Sequence, residues 1–166
     1  SFVDGTDGVV LDDTYKEYMF TFNNIHPSAN AYTQFQGTTD GTNYNTTITS
    51  TSFSAYHDEA DTFAILSYNT GGDQAQGTGF QRLNETDSVG TDNDMSMSGT
   101  LRIFNPSSTT FVKHFLANNN SAAKHPLTSN VFVAGYFNTT NAITGIQFKQ
   151  TTGNIDAGDI CLYGIA

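Results

Sequence analysis

The chain has 166 residues, enough for one ordinary domain that buries a core without metals or disulfides. Only 13% of its residues are charged, its formal net charge is −10, and its six Lys and Arg residues are scattered singly. A phosphate-holding groove needs clustered basic residues, so nucleic-acid binding and attachment to an anionic membrane are excluded as expectations. Thr (25) and Asn (16) are abundant beside 13 Phe and 8 Tyr, a mixture that favours strands and turns over helices and predicts an all-β chain.

Residues 1–13 (SFVDGTDGVVLDD) read as an N-terminal arm, mobile unless something docks it, and residues 14–166 as a single β-sandwich domain. Tyr15 to Ile25 predicts a half-buried strand, with Tyr18, Phe20 and Phe22 on one face and Glu17, Met19, Thr21 and Asn23 on the other. His26-Pro27 ends it. Ala31 to Gln36 predicts a shorter strand, closed by a loop with an Asp40-Gly41 turn signal, and Tyr44 to Tyr56 one long strand or two short ones. Thr62 to Tyr68 (TFAILSY) reads as a fully buried strand. Residues 69–100 form a long stretch without clear period, in which Gly79 to Leu83 predicts a brief strand.

Leu101 to Phe104 and Thr110 to Leu116 predict the next two strands, and Ala117 to Ser129, with its run Asn118-Asn119-Asn120, a polar loop. Val131 to Phe137 predicts a strand whose Gly135 admits a close neighbour. Finally, Ile143 to Lys149 and Asp159 to Ile165 read as the two arms of a β-hairpin. The second arm is apolar on both faces, which predicts that the chain ends in its core or against another subunit. The sum is eight or nine strands in an antiparallel, jelly-roll-like β-sandwich. An immunoglobulin-like sandwich is disfavoured, because the chain has no Trp and a single cysteine, Cys161. The expected core includes Phe20, Phe22, Phe63, Ile65, Phe111, Phe148, Ile160 and Leu162.

Several clusters invite a chemical reading, and none completes a site. His57, Asp58, Glu59 and Asp61 form the densest set of titratable groups, but no second set is known to approach them, so they read as a solvated turn. The pairs Asp4/Asp7 and Asp92/Asp94 have the short spacing of oxygen-ligated Ca²⁺ sites without the EF-hand series; a structural Ca²⁺ is the one cofactor considered. Ser107, Ser108 and His114 lack the strained nucleophile elbow of a hydrolase. Asn45, Asn84, Asn119 and Asn138 each open a glycosylation acceptor triplet, which arises by chance in so Asn- and Thr-rich a chain. No catalytic, cofactor-binding or metal-binding residue is assigned.

The phrases TYKEYMFTFNNIHPS (14–28), AYHDEAD (55–61), GGDQAQGTGFQ (71–81), LRIFNPSSTTFVKHF (101–115) and AGYFNTTNAITGIQFKQTTGNIDAGDICLYGIA (134–166) resemble the small virion structural proteins of marine tailed bacteriophages. The resemblance implies a jelly-roll module on the surface of a phage particle, a capsid decoration or a fibre or knob. It implies a homotrimer or other symmetric oligomer, attached to the major capsid protein or another virion component, and no enzymatic activity. A carbohydrate-binding jelly roll that recognises host surface glycans is the alternative, since Tyr rings and Asn amides suit sugars. A glycan hydrolase would need two carboxylates facing one cleft.

Overall fold

The computed structural model describes residues 1–166 as eleven strands with no helix. The strands are β1 (Phe2–Val3), β2 (Glu17–Pro27), β3 (Thr33–Thr38), β4 (Ile48–Asp58), β5 (Ala64–Tyr68), β6 (Gln81–Arg82), β7 (Ser96–Phe104), β8 (Lys113–Ala122), β9 (Leu127–Phe137), β10 (Gly145–Gln150) and β11 (Ile155–Ile165). They form two antiparallel sheets packed as a sandwich. The smaller runs β1-β10-β3-β6 and the larger β11-β2-β7-β8-β9-β4-β5.

The sandwich follows from alternation. Along β2, Tyr18, Phe20, Phe22 and Ile25 are buried, and along β8 so are Lys113, Phe115, Ala117, Asn119 and Ser121. Successive side chains point to opposite faces, so each strand delivers every second residue to the interior. There the aromatic rings interlock across the two sheets. Phe35 of β3 meets Phe115 of β8 edge-on at 5.2 Å, and Phe148 of β10 meets Phe20 and Phe22 of β2 at 5.0 and 5.3 Å. Each such pair adds roughly 0.5–1.5 kcal/mol beyond the area it buries.

The N-terminal segment is docked. β1 pairs with β10, the Phe2 ring sits edge-on to Phe20 at 5.2 Å, and Leu11 is buried. Gly135 marks a close approach, as expected. A Cβ there would lie 2.6 Å from both Phe115 Cζ and the Thr49 carbonyl oxygen.

Four expectations are corrected. Residues 138–166 do not form a hairpin: β10 pairs with β1 and β3 in the smaller sheet, while β11 pairs with β2 in the larger. Nor does the chain end in its core, because β11 is an edge strand with Tyr163 and Ile165 exposed and Ile160 and Leu162 only half-buried. β5 is the opposite edge and is exposed along almost its whole length. Phe63 and Ile65 therefore leave the expected core, and Phe111 leaves it for a separate reason: it lies in the loop between β7 and β8, outside any strand, and is 69% exposed. At the two edges the reason is width: at about 4.8 Å per strand, a seven-stranded sheet overhangs a four-stranded one by roughly 14 Å, so its outer strands project past the cover. The fourth correction is the polar loop 117–129, most of which is strand: Asn118, Asn119 and Asn120 pair in register with Phe132, Val131 and Asn130.

Candidate interaction face

The most distinctive surface is the outer face of the larger sheet, away from the core. Register assembles it row by row. One row runs Tyr68, Phe53, Phe132, Asn118, Thr100 across β5, β4, β9, β8 and β7; on one side of it lies Leu66, Ala55, Asn130, Asn120, Ser98, and on the other Thr51, Ala134, Leu116, Arg102. The Phe53 and Phe132 rings stack in parallel, 9° apart with centroids at 5.0 Å. Both rings remain about two-fifths exposed, and Leu66, Tyr68 and Leu116 are more exposed still. The polar neighbours are already ordered: Asn118 Nδ2 donates to Asn130 Oδ1 at 2.9 Å, and the Thr128 hydroxyl donates to Asn120 Oδ1 at 2.9 Å.

The outward positions of β4, β5, β7, β8 and β9 contain no Asp or Glu. Arg102, the one fully charged group among them, is neutralised by Glu17 at 3.2 Å. The face also holds two open hollows. One of about 440 Å³ is lined by Ala55, His57, Leu66, Thr128 and Asn130, and one of about 380 Å³ by Thr49, Thr51, His114, Leu116 and Tyr136. His114 sits edge-on to Tyr136 at 5.9 Å.

No carboxylate projects from these strands onto the face, although Asp73 accepts the Tyr68 hydroxyl at 2.6 Å at its β5 margin, and several others are engaged in holding turns. Asp58 ends β4 and accepts hydrogen bonds from the Thr62 hydroxyl, the Thr62 N–H at 2.9 Å and the Phe63 N–H at 3.0 Å. These donors, the Thr62 hydroxyl foremost, hold its carboxyl below the usual range. His57 turns to Asp61 at 3.1 Å, so the solvated cluster 57–61 is the β4–β5 turn with its own internal pairs. Asp58, Glu59 and His125 line one hollow, but Asp58 is occupied by its turn and His125 pairs with Asp87 at 2.7 Å. Asp40 is likewise held low, first by the Asn43 N–H and side chain and then by Thr42 and Thr38. Asp4 caps the Leu11 N–H at 2.8 Å, and Asp92 and Asp94 stand exposed. No group of three or more His, Cys, Asp or Glu side chains converges.

Ser108 and His114 do line one hollow, yet the serine oxygen accepts from the Thr110 and Phe111 N–H groups, both at 3.2 Å, and no carboxylate lines it with them. Among the four glycosylation triplets, Asn84 and Asn119 are buried and unreachable in the folded chain, while Asn45 and Asn138 are exposed. The Asn84 side chain accepts the Thr33 N–H at 2.7 Å, and Asn119 donates to the Leu83 carbonyl at 3.2 Å.

Two sites escaped sequence reasoning. Lys113 is fully buried, and its ammonium donates to the carbonyls of Ser108, Phe111 and Thr139 at 3.0, 3.1 and 2.8 Å. Burial pushes its pKa down. Its place in phase with Phe115 and Ala117 was the available signal. In a second, polar hollow beside β11, His26 Nδ1 pairs with Asp156 at 2.7 Å and Nε2 faces the Asp92 carbonyl at 3.3 Å. The Asp156 hydrogen bond raises the His26 pKa, and acceptors at both nitrogens favour the imidazolium. A ring committed on both sides serves as a clasp between β2, β11 and the 91–95 loop rather than as a general base.

Compared with known proteins, the chain matches no family model, no curated protein and no solved structure.

Proposed function

We propose that this chain is a non-enzymatic structural part of a tailed-phage virion, displayed on the particle surface as a capsid decoration or a fibre or knob module, and that it works by associating with copies of itself and with another virion component such as the major capsid protein. The observation that carries the reading is the outer face of the larger sheet, where stacked Phe53 and Phe132, Leu116, Leu66 and Tyr68 stand exposed and carboxylates reach only the margins, Asp73 at Tyr68, Asp61 at His57 and Glu17 at Arg102. A monomer rarely leaves a contiguous apolar patch of this kind without an interaction to fill it. The phrases quoted from residues 14–166 supply the virion context, and a sandwich in which every strand from first to last is paired suits an exposed particle part.

The same face favours a second reading. Flat rings beside Asn118, Asn130 and Thr100 offer stacking and amide bonding, the two contacts by which proteins hold sugars, so recognition of host surface glycans is the alternative.

Imaging of purified particles with an antibody to this chain tests the leading reading. Labelling at regular surface positions supports it, and particles without the chain refute it. A glycan array decides the alternative: saturable binding that Phe132→Ala abolishes would transfer the face to sugar recognition.

A further inference from the structure

We propose that the outer face of β5-β4-β9-β8-β7 is the contact between two copies of this chain, packed sheet against sheet about a two-fold axis. The inference rests on the self-association reading above and names its surface and symmetry.

Charge selects the occupant. Each chain carries sixteen acidic and six basic residues, so two copies repel at most approaches. The acidic groups sit on the N-terminal segment, the β3–β4 loop, the β4–β5 turn, the 69–95 region and the β2 and β11 side of the molecule; the outward positions of these five strands have none. The strands of the smaller sheet also lack Asp and Glu, but their outward side chains are Gln34, Gln147 and Lys149, so the face of the larger sheet is the one that joins low acidity to exposed aromatic and aliphatic groups. A basic partner would find counter-charge only at the margins, where Asp73, Asp61 and Glu17 are already engaged by Tyr68, His57 and Arg102, whereas a neutral, aromatic-rich centre suits another like it.

Area agrees. Five strands at about 4.8 Å spacing, over the eight steps of about 3.3 Å from Thr49 to His57, span a flat projection of roughly 600 Å², to which side-chain relief adds. A standard stable interface takes about 800 Å² from each partner. Twisted sheets pack face to face at about 30°, and a face packed on its own copy is isologous, which closes as a dimer and leaves no open end.

The two sheet edges differ in the same sense. The edge strand β11 carries register shifts at Ile155–Asp159 and the charges of Asp156 and Asp159, devices that discourage further pairing. β5, whose sequence is AILSY, has neither a charge nor a register shift, and it borders the proposed contact. Burying Leu66 and Tyr68 under a second copy shelters that edge.

Sedimentation velocity on the full 166-residue chain, from about 1 to about 100 µM, tests the inference through mass action. The expected species is twice 17.9 kDa, and its dissociation constant falls as salt screens the net charge. Phe132→Asp and Leu116→Asp each weaken the dimer by about tenfold or more, a change of about 1.4 kcal/mol. Val10→Asp, exposed on the N-terminal segment whose β1 joins the smaller sheet, leaves it unchanged. Hydroxyl-radical footprinting of the unmodified chain supplies a readout independent of variant folding: oxidation of Phe132, Leu116 and Tyr68 falls as concentration rises. A trimer, or a dimer that survives both aspartates, overturns the two-fold packing while the virion reading stands. A monomer across the whole range that binds glycans through Phe132 overturns both.

Discussion

Phe35→Ala tests the packing of one sheet on the other most directly. Phe35 projects from β3 of the smaller sheet and is fully buried; its ring stands edge-on to Phe115 at 5.2 Å and to Phe137 at 6.2 Å, both on the larger sheet, and tilts toward Phe148 at 6.5 Å. Truncating a buried Phe costs about 3–5 kcal/mol, because the transfer free energy of the ring is lost and its neighbours close the cavity only in part. Three ring contacts disappear at once and the site is tied down from both sheets, so we expect about 4 kcal/mol. A domain of this kind is stable by about 5–15 kcal/mol in total. Equilibrium unfolding in guanidinium chloride measures the loss as a lowered midpoint at unchanged slope. Phe111→Ala is the companion: at 69% exposure it should shift stability by about 0.5 kcal/mol or less. A loss below about 1 kcal/mol at Phe35, or above about 2 kcal/mol at Phe111, would refute the assignment of inside and outside.

Three further outcomes are expected. Burial depresses the Lys113 pKa, so the unfolded chain binds the extra proton between the folded value and the ordinary 10.5, and the lysine's contribution to stability rises with pH across that window. Unfolding midpoints measured from about pH 8 to pH 10.5 should climb more steeply for the natural chain than for Lys113→Met, which lacks the titration. His26 behaves in the opposite sense: its pKa is raised above 6.5, so its clasp to Asp156 is fully present below that pH and is lost as pH rises through the folded value. His26→Gln should flatten this dependence, and an NMR titration of the His26 ring should report the raised pKa. Gly135→Ala forces a methyl against Phe115, the Thr49 carbonyl oxygen and Ser50, and should cost about 1–3 kcal/mol in a denaturant titration; a neutral result would mean that β4, β8 and β9 are less closely packed than described.

The pattern of each strand was legible wherever alternation was strong. Tyr18, Phe20 and Phe22 against Glu17, Met19 and Thr21 state the phase of β2 outright, and Gly135 signals a close neighbour. Asn118 to Asn120 read as loop in sequence because intrinsic preference favours turns for Asn. In the fold, β7 and β9 flank β8, the amide of Asn119 reaches the Leu83 carbonyl, and those of Asn118 and Asn120 find partners on β9. The candidate face was harder to see, since its rows join residues from five strands that are far apart in the chain.

By itself, then, the amino-acid order determined an all-β chain, the positions of most strands and the alternation that splits each between two faces, because these depend on neighbours within a few residues. Tertiary structure alone decided that β10 and β11 enter different sheets, that the apolar segments Ala64–Tyr68 and Ile160–Ile165 lie at edges, and that Lys113 is enclosed by three carbonyls. An apolar side chain states a preference for burial. Whether anything covers it depends on which strands pair and how far one sheet extends beyond the other, and those are long-range outcomes that no local pattern contains.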